Sequence, residues 1–321
     1  MRYGVPYKGS KNAIVKWVID NLPEADTFVD LFAGGCAVTH GAMLSGKYKN
    51  FIANDINDVP QLFLDSVGGK FKDEKRWIDR ETFNRLKDTN EYVATCWSFG
   101  NNRRSYLYGR HIEPWKKALH YARVLGDRSL LRDMGIESDG SRLDVKAHHQ
   151  EYAHKYRTWL LKARHIATPK TLQRLDSLGR LESCELLQSL KNLESLQRLQ
   201  SLQSLQSLKN LERLQRLQRL QKDYREVDLP KGSIVYCDIP YRSSKEGYTK
   251  DEEVNNFDYE AFYNWASLQS ERVVISEYDM PSNRFVKIAE KTKTSLLASN
   301  GTNGYVKEGL WIPIHQQELW R

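Results

Sequence analysis

The chain has 321 residues, of which 40% are hydrophobic and 28% are charged, and it carries a formal net charge of +8. This composition excludes wholesale disorder and supplies enough apolar material for a hydrophobic core. Four cysteines without paired spacing exclude a disulfide framework, no apolar run reaches the length of a membrane span, and we expect a basic, cytoplasmic globular protein.

Residues 1–70 alternate between helical and strand patterns. The apolar spacing predicts a helix over 12–22, a strand over 27–32, a helix over 37–44, a strand over 51–55 and a helix over 60–67. The glycine turn Ala33-Gly34-Gly35 follows the first of these strands. Strand, glycine turn, helix and strand in this order predict a right-handed βαβ unit.

Residues 71–171 lack the strand pattern and favour helices rich in arginine, lysine, tryptophan and tyrosine. Between residues 100 and 132, eight lysines and arginines stand against two acidic residues. Most of the net charge is therefore concentrated in one short stretch of the chain.

Residues 172–221 carry a leucine repeat with a period of three. Of the 17 positions at this spacing from Leu172 to Leu220, 16 are leucine and one is Cys184. Three residues turn an α-helix by about 300°, so a long helix would spread its leucines over every face, and a strand would place successive leucines on opposite faces. We therefore expect a solenoid-like insert that serves as a spacer, a contact surface or a tolerated repeat expansion.

Residues 223–321 return to an α/β pattern. Apolar runs predict a helix over 257–268 and strands over 233–237, 272–276, 285–290 and 309–314. We expect one discontinuous catalytic domain, made of residues 1–70 and 223–321, that is interrupted by a helical insert at 71–171 and the leucine segment at 172–221.

The first two strands end in residues that can carry chemistry. Asp30-Leu31-Phe32-Ala33-Gly34-Gly35 follows the first strand, and its glycines let a ligand approach the backbone beside a helix N-terminus. Asp55 ends the next strand, where nucleotide-binding folds place an acid on ribose hydroxyls. Taken singly, each feature is also explained by a tight turn and a helix cap.

The strand over 233–237 leads into Asp238-Ile239-Pro240-Tyr241. An exocyclic amino group on a base is a poor nucleophile because its lone pair delocalises into the ring. A carboxylate and a neighbouring main-chain carbonyl that accept its hydrogens free that lone pair. Proline adds no competing N–H, and tyrosine offers a face on which a flipped base stacks. A β-turn after a strand is the alternative explanation.

Tyr7-Lys8-Gly9-Ser10-Lys11, the Asp30–Gly35 loop, Asp55 and Asp238-Ile239-Pro240-Tyr241 follow one another in an order that resembles the Dam-like DNA adenine-N6 methyltransferases. Residues 97–106 and 112–115 are similar to phage and prophage members of that family. The resemblance implies a Rossmann-like S-adenosylmethionine-dependent methyltransferase sheet with an inserted helical recognition region. Ile239 replaces the first proline of the family's Asp-Pro-Pro-Tyr motif, but any residue supplies the main-chain carbonyl needed there.

The resemblance also assigns roles to individual residues. It implies catalytic roles for Asp238, Pro240 and Tyr241, and cofactor contacts at Tyr7, Lys11, Asp30, Phe32, Gly34, Gly35, Asp55 and Asp238. Asp rather than Ser at position 238 favours adenine N6 over cytosine N4. Ser276-Glu277-Tyr278 would line the target pocket or merely end a strand, and Glu308-Gly309-Leu310-Trp311 is similar to the family's structural closing strand.

The basic middle segment suits DNA recognition, because arginine and lysine contact phosphates, aromatic rings stack and asparagine reads base edges. On this basis we expect nucleic-acid contacts at Asn101, Asn102, Arg103, Arg104, Tyr106, Arg110, Lys116 and Lys117. A solvated helical face over an aromatic core is the alternative.

The sequence therefore predicts a monomeric DNA adenine-N6 methyltransferase of phage or restriction-modification type, acting on double-stranded DNA with S-adenosylmethionine. The rival functions are a cytosine-N4 or RNA amino-methyltransferase and a catalytically decayed DNA-binding scaffold. We expect no metal site, because His148, His149, His154 and His165 have neither cysteine partners nor a metal-binding motif.

Overall fold

The computed structural model describes residues 2–110, 112–134, 193–208, 212–241, 257–295 and 304–320. The chain divides into two compact units. The sheet unit comprises Met1–Val5, Gly9–Gly68 and Leu205–Arg321, and the helical unit comprises Pro6–Lys8 and Gly69–Ser204. The four histidines between 148 and 165 and the leucine repeats before residue 193 lie outside the described residues.

The sheet unit contains a mixed sheet with the strand order β3-β2-β1-β4-β5-β7-β6. Its strands are β1 (Thr27–Asp30), β2 (Asn50–Asn54), β3 (Leu217–Leu220), β4 (Ile234–Cys237), β5 (Arg272–Glu277), β6 (Phe285–Ser295) and β7 (Gly304–Pro313). Strands β1 to β5 pair in parallel, whereas β7 is antiparallel to both β5 and β6. The unit is of the α/β class and consistent with a Rossmann-like methyltransferase fold.

The helices are numbered along the chain through both units. They are α1 (Val15–Asp20), α2 (Ala37–Ser45), α3 (Val59–Val67), α4 (Arg80–Leu86), α5 (Glu91–Cys96), α6 (Glu113–His120), α7 (Ser129–Asp133), α8 (Glu194–Ser204) and α9 (Tyr259–Ser267). Every residue of β1 and β4 is buried, as expected for parallel strands covered on both faces. One of these faces packs against α9 through Phe262 and Ala266.

The predicted elements of residues 1–70 and 223–321 are confirmed, with differences of a few residues at their ends. The largest difference concerns the last two strands, which extend over Phe285–Ser295 and Gly304–Pro313. These strands pair with each other along almost their entire length. Because each strand satisfies the backbone hydrogen bonds of the other, pairing carries them beyond their apolar runs.

The solenoid-like arrangement expected for residues 172–221 is wrong for the part that the structure describes. Residues Glu194–Ser204 form α8 in the helical unit, and Leu217–Leu220 form the edge strand β3 of the sheet. Across three leucines of a short helix, a period of three drifts by only about 120°, which still leaves one apolar stripe. In a strand, the same period places Leu217 and Leu220 on opposite faces.

The helical unit has an aromatic and aliphatic core of its own. Trp115 and Leu119 of α6 pack with Leu131 of α7 and with Leu193 at the start of α8. The Arg198 guanidinium, on α8, donates to the main-chain oxygens of Cys96 at 2.7 Å and Ser98 at 2.8 Å. The leucine segment therefore supplies both apolar and hydrogen-bonding contacts to this unit.

Candidate active site

The sheet topology places a crevice beside β1. From β1 the chain crosses to β2 on one side, whereas β4 lies on the other side. In open parallel sheets, ligands bind at such a point of reversal, beyond the carboxyl ends of the strands. The residues that follow β1 and β4 are the Asp30–Gly35 loop and Asp238, so two predicted motifs border the same crevice.

The glycine loop after β1 is tied to the end of β2 by Asp55. The Gly34 N–H donates to Asp55 Oδ2 at 2.9 Å, and the Asn57 N–H donates to Asp55 Oδ1 at the same distance. Gly34 has φ 46°, a left-handed conformation that glycine adopts without a Cβ penalty. The buried Asp55 carboxylate thus fixes the loop that would hold a cofactor.

Asp30, at the end of β1, binds the N-terminal turn of α2. Its Oδ2 accepts from the Thr39 N–H at 3.1 Å and from the Thr39 hydroxyl at 2.7 Å. Burial raises the pKa of Asp30 to about 7, and the neighbouring Asp238 and Asp55 carboxylates add to the rise. The side chain is nearly inaccessible, so Asp30 supports the loop from below rather than presenting itself to a ligand.

An N-terminal strap crosses the glycine loop. The Val5 N–H donates to the Gly35 carbonyl at 2.8 Å, and the Gly4 N–H donates to His40 Nδ1 at 3.1 Å. Gly4 has φ 64°, and a Cβ there would lie 2.1 Å from the Gly35 oxygen, so only glycine fits. Tyr7, also predicted to bind cofactor, is half-buried and belongs to the helical unit.

Lys11 and Asp238 form an ion pair at the carboxyl end of β4. The Lys11 ammonium donates to Asp238 Oδ1, and the Lys11 side chain is 3% exposed against 22% for Asp238. These residues are 227 positions apart in the sequence. The structure thus brings a predicted cofactor ligand into direct contact with the predicted catalytic carboxylate.

Tyr241 sits among residues that the sequence did not single out strongly. Its hydroxyl donates to Glu308 Oε1, and its ring stacks on Tyr278 with centroids 4.4 Å apart. The Ser276 hydroxyl donates to the same Glu308 oxygen at 2.6 Å. β5 and β7 deliver these partners because they are paired at this end of the sheet. The sequence offered two signals for these partners. Ser276-Glu277-Tyr278 stands at the end of a predicted strand, and Glu308 precedes an apolar strand.

The edge of the sheet unit at this site is strongly acidic. Burial raises the pKa of Glu277, at the end of β5, to about 8, and the charges of Glu308 and Asp238 add to the rise. Glu277 Oε2 is buried without a hydrogen-bond partner among the described residues. A cationic ligand near Glu277 would lower its pKa and favour its charged form.

The remaining predicted residues of the sheet unit lie near this crevice in different settings. Phe32 is half-buried and packs edge-on against Phe257 and Phe262. Ile239 is buried in the core next to β4, whereas Pro240 is exposed. No group of three or more potential metal ligands occurs within the described ranges.

The helical unit contains the predicted nucleic-acid-binding residues, and several of them face inward. The Arg103 guanidinium forms a two-pronged ion pair with Glu91. Asn101 Nδ2 donates to the Thr95 carbonyl at 2.8 Å, and Asn102 Oδ1 accepts from the N–H groups of Arg104 and Ser105. These three side chains hold the loop over residues 98–106 together.

Two of the residues predicted to contact DNA have buried side chains. The Tyr106 hydroxyl donates to the Ile78 carbonyl at 2.7 Å, in the core of the unit. Lys116 is 1% exposed and its ammonium lies 3.3 Å from Glu194 Oε2. Nothing in the sequence around Tyr106 or Lys116 indicated that these side chains point into the core.

Fewer of the predicted nucleic-acid-binding residues face outward. Arg104 and Arg110 are exposed, Lys117 is half-buried, and Phe99 is 66% exposed at the start of the 98–106 loop. Partial burial lowers the pKa of Lys8, and the nearby positive charge of Arg104 lowers it further. The described part of this unit therefore presents a basic surface beside the exposed Phe99 ring.

Comparison with protein families gives a match in the N-terminal part of the chain. Residues 7–98 match the family model of the D12 class N6 adenine-specific DNA methyltransferases. This stretch of the chain is therefore similar to that class. The match confirms the resemblance to Dam-like adenine methyltransferases and indicates an adenine-specific DNA methyltransferase enzyme. It includes Lys11, the glycine loop and Asp55, whereas the Asp238 motif lies beyond it. A search among curated proteins gave no match.

Within the described ranges, no helix is long and apolar enough to cross a membrane. DNA is the substrate implied by the family.

Proposed function

We propose that this D12 class methyltransferase transfers the methyl group of S-adenosylmethionine to N6 of an adenine rotated out of duplex DNA. The observation that carries the proposal is the pairing of Lys11 with Asp238 at the topological reversal between β1 and β4. Tyr241 lies beside that pair, with the Lys11 ammonium 4.6 Å from its ring centroid. An acceptor carboxylate, an aromatic ring and a glycine loop are thereby joined in one unit.

The residues of the crevice fit S-adenosylmethionine. Burial and neighbouring carboxylates raise the pKa values of Asp30 and Glu277, and a nearby sulfonium cation would lower both values and favour the charged carboxylates. Gly34 and Gly35 would hold its amino-acid end, and the end of β2 at Asp55 would lie by the ribose. When bound, this cofactor supplies an electrophilic methyl group.

The Asp238 motif would prepare the amino group that receives the methyl. Asp238 and the Ile239 main-chain carbonyl would accept its two hydrogens, which returns the lone pair to the nitrogen. Ile239 is buried in the core and Pro240 cannot donate a hydrogen bond, so the backbone that presents this carbonyl is restrained. The isoleucine in place of proline therefore keeps the carbonyl acceptor.

Exposure and side-chain contacts support a smaller set of DNA-contacting residues than the sequence predicts. Arg104 and Arg110 would bind phosphates, and exposed Phe99 would offer a stacking face. Asn101, Asn102 and Arg103 would act indirectly, because their side chains hold the 98–106 loop. We propose that the enzyme acts as a monomer in a bacterial or phage-infected cytoplasm, where the buried thiols of Cys36, Cys96 and Cys237 stay reduced.

Transfer of tritiated methyl groups from S-adenosylmethionine to unmethylated duplex DNA tests the proposal. Asp238→Asn should lower the transfer rate by roughly 100- to 10,000-fold, because the acceptor carboxylate is lost. Asp228→Asn makes the same chemical change at an exposed aspartate and should retain activity.

Nucleoside analysis of the product distinguishes the outcomes. We expect N6-methyladenine in DNA. Label in cytosine or only in RNA would favour the rival amino-methyltransferases. S-adenosylmethionine-independent DNA binding without any transfer would favour a decayed scaffold. Full activity of Asp238→Asn would contradict the site assignment.

A further inference from the structure

Glu308 occupies an unusual position for a residue of a closing strand. It lies on β7, its side chain has no exposed surface, and it is a carboxylate in the interior of the sheet unit. Its Oε1 accepts from the hydroxyls of Tyr241 and Ser276 and lies 3.8 Å from the Lys11 ammonium. A buried carboxylate is costly unless such partners satisfy it, and two of these partners belong to the proposed active site.

The tyrosine contact restrains the ring on which the target base would stack. Burial, followed by the charges of Asp238 and Glu308, raises the pKa of the Tyr241 hydroxyl well above its usual range, so this group stays protonated and donates to Glu308. On the other side, the ring stacks on Tyr278 with an interplanar angle of 27°. Glu308 and Tyr278 therefore fix the orientation of Tyr241 from two directions.

The lysine contact concerns the availability of Asp238. Lys11 donates to Asp238 Oδ1, an oxygen that the amino group of the target base would also need. Glu308 lies close enough to take over the ammonium when Asp238 turns to the base. Without a second carboxylate, release of Lys11 would leave a buried cation without a counter-charge.

We propose that Glu308 is a positioning residue, which orients Tyr241 through its hydroxyl and receives Lys11 when Asp238 binds the target amino group. This inference rests on the proposed function of the same site. Glu308 acts through Tyr241 and Lys11 and makes no contact with the reacting atoms. Its removal should slow the chemical step more than it weakens the binding of either substrate.

Steady-state kinetics of Glu308→Gln, Tyr241→Phe and the double variant test the proposal. Glu308→Gln keeps an acceptor for the hydroxyls but loses the charge, and kcat should fall roughly 10- to 100-fold because the reacting groups are misplaced. The KM values for DNA and S-adenosylmethionine should change by less than about threefold. Tyr241→Phe removes only the tether, so its loss of kcat should be smaller.

The double variant separates positioning from a merely structural role. Both substitutions act on the same hydrogen bond, which loses its charged acceptor in Glu308→Gln and its donor in Tyr241→Phe, so the double variant should lose about as much kcat as Glu308→Gln alone. Glu318→Gln, the same change at an exposed glutamate, is the matched control for thermal midpoint and activity.

Three results would overturn the proposal. The first is a lower thermal midpoint in Glu308→Gln with unchanged kcat, and the second is multiplication of the two kcat losses in the double variant. The third is an unchanged kcat in Tyr241→Phe, which would show that the hydrogen bond between Tyr241 and Glu308 does not affect the rate. This measurement decides even if Glu308→Gln does not fold. An inactive wild-type enzyme would refute the proposed function itself, before any variant is compared.

Discussion

At the scale of single residues, the site depends on carboxylates that would be unstable alone. Asp30 is satisfied by two donors from Thr39, Asp55 by Gly34 and Asn57, and both hold backbone in place. The sequence indicated these acids through their positions at strand ends. Their roles as supports could not be predicted, because hydrogen bonds to a loop or a helix turn depend on side-chain direction.

Asp30 makes stability depend on pH. Its pKa rises from 3.8 to about 7 on folding, so the folded state holds its proton more tightly than the unfolded state. Stability should therefore decrease as the pH rises from about 4 to about 7 and should change no further above that, by on the order of 4 kcal/mol at most.

Urea unfolding of Asp30→Asn and wild type at pH 5 and pH 8 measures this contribution. Asparagine keeps an acceptor for Thr39 and does not ionise, so the difference in unfolding free energy between the two pH values should shrink. Asp26→Asn, at an exposed position four residues earlier, should leave the difference unchanged. An equal pH dependence in Asp30→Asn and wild type would refute this account of Asp30.

At the scale of elements, the leucine segment shows where periodicity is insufficient. A period of three suits neither a long helix nor a long strand, and this reasoning remains valid. The described part of the segment forms only short elements, to which this restriction does not apply. They are an 11-residue helix and a four-residue strand, and they belong to two different units. Local pattern cannot predict such a division, because the partners β2 and α5 lie far away in the sequence.

The loop over residues 98–106 is an element whose shape depends in part on an ion pair. Arg103 has φ 65° and its guanidinium is held by Glu91 of α5. We expect Arg103→Ala to destabilise the loop by about 2 kcal/mol and to weaken DNA binding indirectly. Glu91→Ala should weaken it to a similar extent, and the double variant should be no worse than either single variant.

Fluorescence anisotropy with duplex DNA over a range of salt concentrations checks this prediction. Because no phosphate contact is lost, the slope of log affinity against log salt should stay at its wild-type value in all three variants. A flatter slope in Arg103→Ala alone would show instead that this guanidinium contacts phosphate directly.

At the scale of the whole molecule, the sequence predicted which segments form strands better than it predicted which residues meet in the site. Parallel strands with apolar runs and the motifs at their carboxyl ends were recognisable one by one. The contact of Lys11 with Asp238 and of Glu308 with Tyr241 arises only from the strand order, which joins segments about 230 and 70 positions apart. Resemblance to a family located the motifs, and the sheet topology brought them together.

The distribution of charge leads to the last prediction. Of the basic residues between 100 and 132, Lys116 is buried against Glu194 and Arg103 is paired with Glu91, so the net charge of this segment overstates the charge available to DNA. Arg104 and Arg110 are exposed. Arg104→Ala with Arg110→Ala should therefore reduce the magnitude of the salt slope by about 1.8, since each phosphate contact contributes about 0.9.

The same anisotropy titration supplies the control. Arg225→Ala removes an exposed arginine of the sheet unit that is paired with Asp223, and it should leave the slope at the wild-type value. A slope unchanged in the Arg104→Ala and Arg110→Ala variant would exclude this surface from phosphate binding. Such a result would favour basic residues of the sheet unit as the phosphate contacts. Cationic side chains must still neutralise the DNA phosphates wherever the methyltransferase binds them.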